Sequence, residues 1–256
     1  MKMRRIAVSA LAAGLLVSLT ACNSDDQTDG SASDASHAAA LTKQSFAQSV
    51  MAAQADAKSA HVEATVEAQG QKLKLSGDIA GLDHPSSTSM DLAADFGGQH
   101  LQLLALDKVL YVRGDGLSGS KGKPWLKIDL SDPNNPMSQI FDAANPGNFA
   151  AYLNGITAFD AKGKQTVDGV QAQHYSVTVD TAKMMAANPV FKGQDAATFG
   201  LPDQVTSQVY VDGDNRPVAM NVDLGSTGAF EVHFSDYGKS VSVQAPPASE
   251  VGDFSL

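Results

Sequence analysis

The chain of 256 residues contains a single cysteine, Cys22, in the stretch Ser-Leu-Thr-Ala-Cys-Asn-Ser-Asp-Asp. A thiol can act as a nucleophile, bind a metal, form half of a disulfide or carry a lipid. One cysteine excludes an intramolecular disulfide, and a catalytic thiol needs a folded, electropositive niche. Cys22 precedes a polar segment instead, so its context favours lipid attachment.

The residues before Cys22 have the order of a secretory signal. Lys2, Arg4 and Arg5 are followed by an apolar run over residues 6–19 and then by small residues. A run of about fourteen residues is shorter than the roughly 20 that span a bilayer, so we expect cleavage. The segment Leu-Thr-Ala-Cys resembles the lipobox of bacterial lipoproteins, in which the cysteine receives a diacylglycerol and becomes the first mature residue. The alternative is an ordinary signal peptide with a chance cysteine.

Composition divides the chain into a signal peptide at residues 1–21, a tether at 22–40 and a globular domain at 41–256. The tether has no large apolar side chain, which is typical of flexible segments. Its expected span is about 20–25 Å. The remaining residues suit one sizeable domain.

The charge of the chain restricts its partners. Residues 1–21 hold three of the 18 Lys and Arg and none of the 28 Asp and Glu, so the remainder has a net charge of −13. Such a surface repels nucleic acid and anionic headgroups. We therefore expect a location on the outer face of the cell membrane, through the two acyl chains of diacylated Cys22, and no nucleic-acid partner.

Two motifs resemble binding loops but lack the required context. Residues 114–119 match G-x-G-x-x-G, yet the polar run that follows and ends at Pro124 cannot form the helix that would hold a pyrophosphate. Asp212 and Asp214 resemble the start of a calcium loop, but Pro217 stands where that loop needs glycine. Both segments are interpreted as turns.

Catalytic and metal-binding patterns are also missing from the sequence. There is no G-x-S-x-G nucleophile motif. The histidines have no paired metal-ligand spacing such as H-x-x-x-H: they are His37, His61, His84, His100, His174 and His233. We expect no enzymatic activity, no catalytic residue, no metal site and no cofactor.

The globular part begins with a helix and continues as strands. Thr42 can cap the helix, with Leu41 and Phe46 as a hydrophobic staple. Period-two alternation then predicts antiparallel strands that are wet on one face, over 62–68, 73–79, 90–96, 101–106, 109–112, 157–167, 170–179, 205–211, 218–224 and 229–237.

Two short helices are predicted in the middle of the chain. Asn135-Pro136 and Asn145-Pro146 each place a capping residue before proline at the first helical position. Apolar residues line one face of each helix: Met137, Ile140, Phe141 and Ala144 in the first, and Phe149, Tyr152, Leu153 and Ile156 in the second. With roughly nine to eleven strands and no strand-helix-strand alternation, the fold class is α+β with a large antiparallel sheet.

Several segments resemble those of actinobacterial lipoproteins of the LppX and LprG group. They are the run 166–180 (Thr-Val-Asp-Gly-Val-Gln-Ala-Gln-His-Tyr-Ser-Val-Thr-Val-Asp), Leu201-Pro202, residues 209–212 with 216–218, and the ending with Tyr237-Gly238 and 245–247. The resemblance implies a β-sheet curved into a half-barrel with short helices on its concave face, similar also to the LolA and LolB carriers.

The resemblance further implies a hydrophobic cavity that binds an acylated lipid or glycolipid and carries it through the envelope, with an envelope transporter as a possible partner. It assigns no cavity residues, so these are predicted from periodicity: Leu73, Leu75, Ile79, Val109, Tyr111, Ile140, Phe141 and Phe149. Flexible Met137, Met184 and Met185 suit varied apolar guests. The alternative is a surface interaction or signalling lipoprotein with a packed core and no lipid cargo.

The anchoring hypothesis is tested by Cys22→Ala. The variant lacks the acylated thiol, so we expect it to leave the membrane fraction as unprocessed or soluble protein. Fractionation followed by a high-salt wash measures this. Membrane-bound Cys22→Ala protein whose signal peptide has been removed would contradict the hypothesis.

Overall fold

A computed structural model describes residues 40–68, 70–84, 87–117, 119–131, 138, 155–187 and 196–253. These residues belong to the compact unit His37–Leu256. The predicted helices near Pro136 and Pro146 lie almost wholly outside the described residues.

Helix α1 (Lys43–Ala57) begins and ends as its sequence predicts. The Thr42 hydroxyl accepts from the Ser45 amide at 3.3 Å, and Ser45 caps the Thr42 amide in return. Lys58 ends the helix in the left-handed conformation. A second helix, α2 (Thr181–Ala187), starts where the Asp180 carboxylate accepts from the Lys183 amide at 2.9 Å. No helix among the described residues is long and apolar enough to cross a bilayer.

The strands form one twelve-stranded sheet: β1 (Ser59–Ala68), β2 (Gln71–Ala80), β3 (Ser89–Phe96), β4 (Gln99–Leu106), β5 (Val109–Gly114), β6 (Trp125–Asp129), β7 (Ile156–Val167), β8 (Val170–Asp180), β9 (Gln204–Val211), β10 (Pro217–Asp223), β11 (Gly228–Ser235) and β12 (Val251–Asp253). Their order is β12-β6-β5-β4-β3-β2-β1-β11-β10-β9-β8-β7. Every pairing is antiparallel except that of β12 with β6, so the predicted antiparallel sheet is confirmed.

Three details differ from the sequence-based prediction. Strands β6 and β12 were not predicted. Strand β12 has only three residues, and its parallel partner β6 is more than 120 residues away in the sequence, so no local pattern indicates it. Ile156 was placed on a helix but begins β7, where it pairs with Val179. Its side chain joins the core from a strand, because the pairing with β8 overrides the helical spacing.

The core lies between α1 and the sheet face that it covers, which we call the inner face. Phe46 and Val50 of α1 are fully buried there against β7, β8 and β9. The Phe46 ring meets Phe159 and Tyr175 edge-on, with centroids 5.1 and 5.2 Å apart. The Tyr175 hydroxyl also accepts from the Leu41 amide at 2.7 Å, which fixes the start of α1.

Two glycines allow strands to approach more closely than a side chain permits. Gly77 in β2 has φ +157°, and a Cβ there would collide with the backbone of Asp91 in β3. Gly228 at the start of β11 has φ +147°, and a Cβ there would collide with the Glu67 carbonyl. Glycine at such positions is typical of bends in a sheet.

Residues 239–250, which we call the strap, lead to β12 along the opposite, outer face. The strap starts where the Ser59 hydroxyl donates to the Lys239 carbonyl at 2.6 Å. It ends where the Lys123 ammonium donates to the Ser249 carbonyl at 2.6 Å, just before β6. Leu104 and Trp125, on the outer face between these points, are only 6% and 4% exposed.

The strap is also held by charge. The Lys239 ammonium and His61 Nδ1 lie 2.5 and 2.6 Å from the same Asp78 carboxylate oxygen. Partial burial raises the pKa of Asp78, but the hydrogen bonds and charges of Lys239 and His61 outweigh this, so its pKa lies below the ordinary 3.8.

Asp78→Asn should therefore lower stability only where the carboxylate is ionised. Because its folded pKa is depressed, its contribution is present above the ordinary pKa and lost as pH falls through the folded value. We expect a melting temperature about 1–3 °C lower at neutral pH, since the pair is partly exposed, and no difference in strong acid.

Thermal melts across pH measure this effect. The control is Asp91→Asn, which removes a carboxylate on the same face that accepts a hydrogen bond from the neutral Gln102 amide. An Asp78→Asn deficit that persists unchanged in strong acid would contradict the assignment.

Candidate functional site

Cross-strand pairs place a continuous set of apolar side chains on the inner face of β1–β5 and β11. Leu75 pairs with Ala64 on β1 and with Ala94 on β3, and Ala94 pairs with Leu101 on β4. Directly paired residues share a face of the sheet. We call the half-buried members of this set the apolar strip: Val62, Ala64, Val66, Leu73, Leu75, Leu92, Leu101, Leu103, Val112, Phe230 and Phe234.

Three predicted cavity residues come together on the inner face. Leu73 and Leu75 belong to the strip, and Ile79 lies on the same face of β2. Ile79 is 7% exposed and packs with Ala60 and Leu82 in a buried cluster. Along β2 these residues run from Leu73, near the end of the strip, through Leu75 to the buried Ile79.

Val109 and Tyr111 were predicted beside them but lie on the outer face. Tyr111 pairs with Leu104, and Val109 pairs with Leu106, on the opposite side from Leu103. Leu110 and Val112 occupy the inner positions instead. The sequence Val-Leu-Tyr-Val is apolar at every position, so its alternation could not indicate the face, and an offset of one residue reverses it.

The other predicted site residues lie outside the described residues. Ile140, Phe141 and Phe149 belong to the segment 139–154, and Cys22 to the segment 1–39. They remain predictions. Of the methionines expected to adapt to guests, Met185 is 2% exposed and Met184 packs against the cluster beneath α1, so both belong to the helix-covered half.

Sequence reasoning missed several members of the strip. Leu92 pairs with Gly77 and Leu103, and Leu103 pairs with Val112. The period-two pattern of β3 could have indicated Leu92. Phe230 and Phe234 also alternate along β11, but their place beside β1 depends on a pairing across some 170 residues, which no local pattern predicts.

The inner face is covered unequally. Val177, Val179 and Val209, in the half beneath α1, are 0%, 0% and 2% exposed. Across β1–β5 the described side chains of the strip keep part of their surface accessible. The half formed by β1–β5 also contains two small buried clusters, around Ile79 and around Leu110. The sheet therefore combines a packed half with a half in which accessible apolar side chains lie between buried ones.

The ionisable residues of β1–β5 lie on the outer face. The register places Glu63, Asp78 and Asp91 on that face, and Lys74 and Arg113 with them. The apolar strip is consequently uncharged, and its side chains offer only apolar contact. Such a surface can bind hydrocarbon but cannot transfer protons or stabilise an anion.

A polar cluster on the outer face of β11 is the main group of close titratable side chains besides Asp78. His233 lies between Asp168 at the β7–β8 turn and Glu231, whose carboxylate is 3.0 Å from Nε2. Partial burial lowers the pKa of His233, but its hydrogen bonds to Glu231 and Asp168 outweigh this and raise its pKa above 6.5. Within the part of the chain that the structure describes, no group of three such side chains could hold a metal.

The Gly114–Gly119 motif and the Asp212 loop lie in connections, as predicted. Gly114 ends β5, and a short 3-10 helix (Ser120–Gly122) leads into β6. Asp212 accepts from the Arg216 amide at 2.8 Å and pairs with its guanidinium, which closes the β9–β10 turn.

Solved structures share this architecture. The crystal structure of lipoprotein LppX from Mycobacterium tuberculosis superposes with a TM-score of 0.55 at 15% identity, over 79% of this chain and 100% of that one. This likeness confirms the predicted half-barrel of antiparallel sheet with helices on its concave, inner face.

Sequence relatives extend along most of the chain. The lipoarabinomannan carrier protein LprG of Mycobacteroides abscessus is 25% identical over 237 residues, which is 90% of this chain and 92% of the relative. An uncharacterized 31.2 kDa protein of Streptomyces griseus is 28% identical over 229 residues, 77% of this chain and 74% of the relative. The family described as LppX_LprAFG lipoprotein matches residues 39–243. Since that match spans most of the sequence, the chain belongs to the LppX_LprAFG lipoprotein family.

Proposed function

We propose that this chain is a cell-envelope lipoprotein that holds the acyl chains of a lipid or glycolipid against the apolar strip. The observation that carries the proposal is the strip itself, which is uncharged, half-buried and next to a fully packed half of the same face. Val109 and Tyr111 are left out of the proposed binding set, and Leu110 and Val112 replace them. Ile140, Phe141 and Phe149 stay in it as predicted members.

The driving force of this binding is the hydrophobic effect. A lipid tail that leaves a bilayer exposes apolar surface at about 25 cal/mol per Å², or about 0.8 kcal/mol for each methylene. Contact with Leu75, Leu92 and Leu103 removes part of that surface from water. The transfer requires no ionised or nucleophilic group, so we assign no catalytic residue.

The proposed lipid anchor and the proposed lipid ligand both suit a carrier that works at the membrane surface. In this proposal residues 1–21 direct export, diacylated Cys22 anchors the chain on the outer face of the cell membrane, and residues 22–40 tether the domain of residues 41–256. The name of the LprG relative, a lipoarabinomannan carrier, supports a carrier role for the family's fold. Delivery to an envelope transporter is part of the same proposal.

Native cargo gives the first test. The mature chain with Cys22→Ser, purified without detergent, should release lipid into an organic extract. An acyl chain held against the strip is removed from water, so it should stay bound during purification in aqueous buffer. Mass spectrometry of the extract identifies that lipid. Protein that is empty and also fails to take up a fluorescent fatty acid would instead favour the surface-interaction alternative.

A pair of neighbouring substitutions gives the second test. Leu75→Glu places a charge in the strip, so we expect uptake of a fluorescent fatty acid to weaken by about tenfold or more. Ser76→Glu introduces the same side chain one position later, on the exposed outer face, and should leave uptake unchanged. Titration of the fluorescence measures both, with thermal melts to verify folding.

Equal effects of the two substitutions would contradict the assignment of the strip. Full uptake by a folded Leu75→Glu variant would do the same, since a buried carboxylate among acyl chains is strongly unfavourable.

A further inference from the structure

Two large apolar side chains are exposed at the same end of the sheet. Phe96 is the last residue of β3 and is 41% exposed, and Leu117 follows β5 and is 40% exposed. Because β3 and β5 run in the same direction in the sheet, both residues lie at one end, which we call the Phe96 end. Val170 is 40% exposed and begins β8 at the other end, the Val170 end.

Phe96 and Leu117 are close enough to contact one surface together. Only β4 separates β3 from β5, so two strand spacings place the tips about 10 Å apart. Gly97, Gly98 and Gly116 form these tips with positive φ, and a Cβ on any of them would meet no atom within 4 Å. The tips therefore project from the sheet into open space.

The apolar strip extends to this end. Phe96 pairs with Leu73 of the strip, on the inner face. A tail that slides along the strip toward the Phe96 end would thus leave the sheet next to Phe96 without crossing a charged side chain.

Charge also distinguishes the two ends. The loop that contains Leu117 carries Lys121 and Lys123 against one acidic residue, Asp115, in a chain whose body has a net charge of −13. The loops at the Val170 end carry six carboxylates, Asp83, Asp107, Asp168, Asp212, Asp214 and Asp236, against four cations, Lys58, Lys108, Arg216 and Lys239. An apolar, less acidic end can approach lipid headgroups more easily than an acidic one.

The direction of α1 distinguishes the same two ends. The helix starts beside Tyr175, in the middle of β8, and ends at Ala57, directly before β1 at the Val170 end. Leu41 therefore lies at the end of α1 that is away from the Val170 end.

We propose that the Phe96 end docks on a lipid bilayer, with Phe96 and Leu117 inserted among the headgroups, so that lipid passes between membrane and strip at this end. The inference rests on the proposed function, because it assigns the place where that lipid crosses. Insertion of two apolar side chains gives reversible binding, which suits a domain that also has an anchor and is measurable without the anchor when vesicle lipid is in large excess.

Flotation with phosphatidylcholine vesicles tests the docking. The probe protein is the mature chain from residue 22 with Cys22→Ser, since the compact unit begins only at His37. We expect this parent to float with vesicles even at high salt, and Phe96→Ser with Leu117→Ser to reduce the bound fraction by about tenfold. Val170→Ser, a substitution of equal exposure at the other end, should leave it unchanged.

A parent that does not float, a double variant that floats like the parent, or a Val170→Ser variant that loses as much binding would each overturn the docking. Fatty-acid uptake from solution separates this result from the proposed function. If the parent protein takes up fatty acid but does not float with vesicles, the proposed function stands and the docking is wrong. If the parent protein floats, the double variant does not, and neither takes up fatty acid, the docking stands and the proposed function is wrong.

Discussion

The contact of Phe46 with Phe159 and Tyr175 is the interaction on which the arrangement depends. It places α1 over β7–β9, where the ring centroids lie about 5 Å apart and the side chains beneath are fully buried. A helix of this length covers only part of a twelve-stranded face, so the same contact that stabilises one half leaves the half formed by β1–β5 with accessible apolar surface. Stability and binding are thus assigned to different parts of one sheet.

Charge is separated across the same sheet. The alternation of β1–β3 directs Glu63, Asp78 and Asp91 outward, because an unpaired carboxylate on the inner face would cost far more than it could recover. On the outer face Asp78 gains a second use, since it binds His61 and the strap residue Lys239. The strap in turn leads to β12 across the outer face, and the pairing of β12 with β6 secures one edge of the sheet.

The apolar strip is consistent with the family to which the chain belongs. An uncharged, half-buried surface offers only apolar contact, and the proposed binding of hydrocarbon there fits a family of lipoproteins that includes a relative named as a lipoarabinomannan carrier. The proposed docking end extends this logic, because a carrier gains from meeting the membrane at the point where its binding surface ends. Phe96 and Leu117 are exposed at that point, where burial in the protein would otherwise be expected.

The sequence by itself determined the cap at Thr42, the antiparallel alternation and the inward direction of Leu73 and Leu75, while lipidation of Cys22 stays a prediction. These features depend on neighbouring residues, so local patterns were sufficient. The tertiary structure decided which face of β5 is inner, because Val109, Leu110, Tyr111 and Val112 are all apolar and only the pairing with β4 selects between them. It also decided that β11 lies beside β1, that β12 joins β6 and that α1 covers only one half of the sheet, since each depends on contacts between distant segments.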